Sequence, residues 1–191
     1  MVKRIQLGLF GLVVLTGLAG CSIPTMTIQE MKEMMPDRPA ELDLLNMMAG
    51  RWEGTATMKF TFLDEALEAR GSNTATWECD NRVLVSRGTY EMDELGTMNG
   101  IEIWTWDDKA GKYRMHWFDS FGMTGNGTAK YDEETKTWHI KAKGKGPDGH
   151  RTVSEGTVTY TDADTLEWTW TEWTSLKLFK IAEMSGTSRR A

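Results

Sequence analysis

From Arg51 onward the chain alternates apolar and polar residues with a period of two, and it keeps that period almost to its end. A period of two marks strands whose two faces meet different environments, which excludes helical architectures for this stretch. Trp52, Gly54, Ala56, Met58, Phe60 and Phe62 alternate with Glu53, Thr55, Thr57, Lys59 and Thr61. Residues 72–79 and 82–92 form two further runs around Asp80-Asn81, a two-residue turn whose side chains tolerate positive φ. Residues 101–106 and 113–118 flank the hairpin loop Asp107-Asp108-Lys109-Ala110-Gly111. Runs at 123–131 and 136–143 flank Asp132-Glu133-Glu134-Thr135, and runs at 151–160 and 165–173 flank Asp162-Ala163-Asp164. A last run covers 176–187. About ten strands joined by hairpin-length turns, with no helical crossover, predict an antiparallel all-β fold. Left open, such a sheet would carry two long unprotected edges, so the expected architecture is a closed barrel.

One helix is expected in front of the strands, over Ala40–Ala49, opened by Pro39 and closed by Gly50. Leu42, Leu45 and Ala49 share a face, and Glu41 and Asp43 in the first turn suit the positive end of the helix dipole. This helix is expected to close one end of the barrel. Several strands place large aromatics on one parity and small or hydroxyl side chains on the other. Trp168 and Trp170 oppose Thr169 and Thr171, and Trp104 and Trp106 oppose Ile103 and Thr105. The wall therefore has two chemically distinct faces, and the pattern leaves open which one is the lumen.

The other informative segment lies at the start. Lys3 and Arg4 form a positive n-region, and Ile5 to Leu18 form an apolar run of a length usual for signal peptides. That run is too short to span a bilayer comfortably, which takes about 20 apolar residues. Leu18-Ala19-Gly20-Cys21 then resembles the lipobox of bacterial lipoproteins. The resemblance implies cleavage before Cys21, a diacylglyceryl thioether on its sulfur and an acyl group on its nitrogen. Two or more acyl chains anchor stably, whereas one does not. Ser22 after the cysteine, rather than aspartate, favours the outer membrane over the inner one by resemblance to Gram-negative sorting. The expected organisation is a leader over 1–20, a tether over 21–39 and a barrel domain over 40–191. Met31, Met34 and Met35 sit at helical spacing in the tether and allow a short helical turn there.

Composition removes several function classes. With 22 basic against 28 acidic residues the chain is acidic, and a nucleic-acid partner would need clustered Lys and Arg. The mixed stretch Lys141 to Lys145 reads as a solvated strand edge. There are two cysteines, so lipidation of Cys21 leaves Cys79 alone, with no internal disulfide or cysteine-based metal site. Cys79 is expected as a small half-buried residue at a strand end.

Four segments resemble a known family. The helix running into Met48-Ala49-Gly50-Arg51-Trp52-Glu53-Gly54 is similar to a leucine-rich helix entering a Gly-x-Trp-x-Gly strand. Trp117-Phe118-Asp119-Ser120 resembles that family's Trp-x-Asp-Ser strand end, and Gly127 to Trp138 resembles its next hairpin. Ala182-Glu183-Met184 with Arg189 or Arg190 resembles its closing strand, whereas Glu78-Cys79-Asp80-Asn81-Arg82 replaces its usual glycine-rich turn. The family is a set of bacterial secreted or periplasmic proteins catalogued as a domain of unknown function. The resemblance implies a lipocalin-like (calycin) barrel and no established reaction.

His116, Asp119 and Ser120 are the one local group with the composition of a nucleophilic site, yet no strand-to-helix elbow exposes the serine. Asp119 and Ser120 are better read as strand-terminating side chains. His116, His139 and His150 lack metal-ligand spacing, and His116 and His139 fall on the aromatic-poor parity. Haem binding, known in nitrobindin-like barrels with a proximal histidine late in the chain, would require His116 or His139 to face the lumen. No catalytic residue, metal or cofactor is assigned. Nine tryptophans exceed what packing such a barrel requires, and barrels of about eight or more strands can enclose a ligand. The expected function is binding of a small apolar ligand, with Trp104, Trp106, Trp168 and Trp170 as candidate contacts. The alternative is an envelope scaffold or accessory protein with a filled barrel, which predicts a contiguous apolar patch outside.

Overall fold

Ten strands in strict up-and-down order account for the period-two pattern. The computed structural model describes residues 25–93 and 95–191. The strands are β1 (Gly50–Phe60), β2 (Leu67–Glu78), β3 (Val83–Met92), β4 (Gly96–Asp107), β5 (Lys112–Asp119), β6 (Thr124–Asp132), β7 (Thr137–Lys145), β8 (Arg151–Tyr160), β9 (Thr165–Thr174) and β10 (Lys180–Arg190). Each pairs antiparallel with its sequence neighbours, and β1 pairs with β10 to close the barrel. Closure leaves no unpaired edge, which is the physical reason so many consecutive hairpins form one sheet.

The aromatic parity is the inner one. Trp52, Trp77, Trp104, Trp106, Trp117, Trp138, Trp168 and Trp170 lie on the lumen face, which holds most of the buried positions. Trp173 alone of the nine lies on the outer parity, with the Lys177 ammonium 4.8 Å from its ring centre. Rings this large fit because glycine faces many of them. Trp117 covers Gly125 and Gly144, and Trp170 covers Gly156, leaving no room there for a Cβ.

One end of the barrel is plugged. The segment expected as an α-helix is a 3-10 helix, Ala40–Met47, with i→i+3 bonds such as Met48 N to Leu45 O at 3.0 Å. Three residues per turn bring Leu42 and Leu45 into one line, and both are fully buried under the strand ends. The polar edges of inward aromatics hold this plug. Tyr113 Oη donates to Glu41 O at 2.7 Å, Trp52 Nε1 to Met48 O at 3.0 Å and Trp77 Nε1 to Asn46 Oδ1 at 2.7 Å. Arg190 donates to Ala49 O at 2.6 Å and Met47 O at 3.1 Å, satisfying carbonyls that a helix end leaves free. Its guanidinium also sits 4.4 Å from the Trp52 ring centre.

Three sequence expectations need correction. The last strand starts at Lys180, not Leu176, because Leu176 to Phe179 form a loop with Lys177 at φ 56°. The first strand ends at Phe60, and Phe62 is exposed in the following loop. Cys79 is exposed in the β2–β3 turn, where Cys79, Asp80 and Asn81 all take left-handed φ of 52°, 54° and 60°. A separate short helix, α1 (Ile28–Glu33), starts with a capping box in which Thr27 and Glu30 satisfy each other's backbone N–H groups. Cys21 and the expected leader over 1–20 lie outside the described residues.

Candidate functional site

Between the plugged end and the opposite rim the inner wall changes character. The plug end is a continuous apolar core of Leu42, Leu45, Trp52, Leu84, Trp104, Trp138 and their neighbours. A second, smaller cluster of Ala56, Met58, Ala69 and Met92 lies further along β1, β2 and β3, with Met98, Trp168 and Met184 packed on it. Polar side chains on the lumen parity lie in the middle rows: Asn73 and Tyr90, Glu102 on β4, Thr152 and Ser154 on β8, and Glu172 on β9.

Glu102 carries most of the information. Its register partners are Ser86 and Trp117, and it accepts a hydrogen bond from Trp104 Nε1 at 3.2 Å, so it points inward. Protein surrounds it deeply enough that burial pushes its carboxyl above the ordinary glutamate range, the Trp104 bond pulling the other way. Its surface is nonetheless water-exposed. An inward side chain that is both enclosed and wet means that water enters the lumen. Gly100, next along on the same face, has only open space and one backbone oxygen where a Cβ would stand.

The carboxylate perturbs its surroundings. Burial first and Glu102 second raise the Tyr90 hydroxyl to about 12, with Asn73 opposing. On the facing wall Glu172 is also raised, chiefly by burial, with Thr152 opposing and Asp119 adding to the rise. Ser154 pairs with Glu172 in register. Ser154 Oγ and Asn73 Oδ1 are buried without a hydrogen-bond partner. Among the described residues no ion pair engages Glu102 or Glu172. The single cation on the lumen parity among the described residues is Arg190, which is committed to the plug carbonyls and Asp164. Trp117 and Trp170 meet edge to face at 6.0 Å between the two carboxylates.

The candidate tryptophans separate into two groups. Trp104 and Trp106 belong to the packed plug end, where Trp104 meets Trp138 at 6.0 Å and Trp106 meets Tyr113 at 4.8 Å. Trp168 and Trp170 are half-buried along the lumen, and Trp170 adjoins the polar rows. Glu102 and Glu172 were not singled out from the sequence, although each sits on the aromatic parity of its own strand.

His116 and His139 face outward and are exposed, and His150 lies in the β7–β8 loop beside Asp148. No histidine therefore faces the lumen among the described residues. Asp119 and Ser120 close the β5–β6 turn. Asp119 Oδ1 accepts from Phe121 N at 2.9 Å and Met123 N at 3.0 Å, and Ser120 Oγ accepts from Asn99 N at 2.9 Å. Two depressions of about 340 and 870 Å³ lie on the outer wall around Thr55, Thr187 and Arg70 and are open to solvent.

Solved structures of the same fold have little sequence in common with the chain. It superposes on Rv2717c from M. tuberculosis with a TM-score of 0.64, at 12% identity over 81% of this chain and 99% of that one. An S-type phycobiliprotein lyase, CPES from Guillardia theta, superposes with a TM-score of 0.57, at 11% identity over 87% and 98% of the two chains. Identities this low establish the barrel and nothing more. No curated protein matches the sequence. Residues 30–177 match the family described as protein of unknown function DUF1579, and the chain belongs to that family.

Proposed function

We propose that this chain is a small-molecule-binding barrel held at a membrane surface through lipidated Cys21. The observation that carries the binding half is Glu102, an inward residue reached by water beneath a wall of aromatic rings. A barrel meant only to be filled would place an apolar side chain at that register. Access is from the end opposite the plug. The loops there expose Phe62, Leu63, Leu95, Phe121, Leu176, Leu178 and Phe179, an apolar rim suited to passing an apolar molecule. The anchoring half rests on the n-region, apolar run and Leu18-Ala19-Gly20-Cys21 of the leader.

Both halves are tested separately. Intrinsic tryptophan fluorescence, read against fatty acids, isoprenoids, porphyrins and alkylammonium ions, is expected to respond to at least one class; a flat response to all overturns lumen binding. Cys21→Ala is expected to leave the protein soluble or uncleaved, and membrane partitioning that survives the change overturns the anchor. The same exposed rim favours a second reading, an envelope interaction protein. That reading predicts that Phe62→Ser with Phe179→Ser removes co-purifying partners while leaving ligand-induced fluorescence changes intact.

A further inference from the structure

Resting on the lumen-binding reading, we infer that the ligand is an apolar molecule with a cationic head, an alkylammonium-type organic cation, seated between Glu102 and Glu172 against Trp117 and Trp170. Glu102 and Glu172 both point to the lumen face, where among the described residues the one positive side chain, Arg190, is held by the plug. An enclosed carboxylate without an ionic partner is a standing cost to the fold. A positively charged ligand supplies the missing partner. The rings between the carboxylates suit the same charge, since an indole face attracts ammonium groups, most strongly when desolvated.

The remaining polar atoms agree. Ser154 is more than nine-tenths buried, pairs with Glu172 on the lumen parity, and carries a hydroxyl oxygen with no partner. With Asn73 Oδ1 it can accept hydrogen bonds from an N–H-bearing head. A carboxylate ligand would meet Glu102, Glu172 and Asp119 with no compensating donor of positive charge, so fatty acids are disfavoured. Met184 and Trp168, further along the lumen, provide the apolar lining for the tail.

The test uses three probes with one ten-carbon body: decylammonium, decanol and decanoate. Binding to the full chain is measured by equilibrium dialysis and tryptophan fluorescence at pH 7.5. The ammonium probe is expected to bind at least tenfold more tightly than decanoate. Glu102→Gln and Glu172→Gln are each expected to weaken the ammonium probe severalfold, and together to abolish the preference. Glu167→Gln, which removes the same charge from the outer wall, is expected to change nothing. Equal or tighter binding of decanol or decanoate overturns the cation assignment while leaving lumen binding in place. A preference that survives both lumen substitutions, or falls equally with Glu167→Gln, also overturns it. Failure of all three probes to bind counts against lumen binding itself. Near-ultraviolet circular dichroism verifies folding, and each single variant carries the comparison if the double variant does not fold.

Discussion

A carboxylate on the inner wall of a barrel loses the hydration it had in the unfolded chain, and Glu102 receives only the Trp104 indole in return. Because burial raises its folded-state pKa, the native protein holds this proton more tightly than the unfolded chain does. The associated stability is fully present below the unfolded value, about 4.3, and is lost as pH rises through the folded value. Glu102→Gln resembles the protonated form at every pH. Urea unfolding should therefore find it more stable than the parent at pH 8 and indistinguishable at pH 4; a loss at pH 8 would contradict the burial argument. The β2–β3 turn offers a second check. Cys79 takes φ 52° without the short polar side chain that eases such a conformation in Asp80 and Asn81. Cys79→Gly should raise unfolding stability by about 1 kcal/mol. At this scale the sequence was readable only in part. A glutamate in phase with Trp104 and Trp106, and another in phase with Trp168 and Trp170, signals an inward acid once the parity of the lumen is known. Until the barrel closes, however, either parity can be the inner one. Cys79 was misplaced because period-two alternation runs into the turn without a break.

The plug shows how one short element decides which end of the barrel opens. Apolar side chains at Leu42 and Leu45 predicted a buried helix face, and that face exists. The 3-10 winding was not legible, because it follows from the tertiary demand that both leucines point down one line into the barrel. Leu45 is fully buried, so Leu45→Ala should cost about 3 kcal/mol in denaturant unfolding. Arg190 joins the plug to the last strand through two carbonyls and the Trp52 ring. Arg190→Ala should cost about 2 kcal/mol, since hydrogen bonds to charged groups exceed neutral ones. Arg190→Lys should recover little of it, because one ammonium cannot reproduce the planar fork. The β9–β10 connection failed differently: Leu176, Leu178 and Phe179 look like strand residues by composition. The turn is set by Lys177 N to Thr174 O at 2.7 Å, a bond no hydropathy pattern displays.

For the molecule as a whole, strand count and connectivity were legible because each hairpin announces itself locally. Closure followed from the cost of open edges rather than from any residue. The seam has a mechanical consequence. β1 begins and β10 ends at the same end of the barrel, and they pair antiparallel from Trp52↔Arg190 to Phe60↔Ala182. Ala191 N extends that ladder to Arg51 O. Force applied between residues 50 and 191 therefore loads the seam as a zipper, one rung at a time, instead of shearing all its rungs together. Single-molecule pulling from these two points should open the barrel at markedly lower force than pulling across residues 60 and 190, where the same ladder is loaded lengthwise. Tension on the stretch preceding β1 would be borne first by the plug and Arg190. The end that shuts the lumen would thus also be the first to give way.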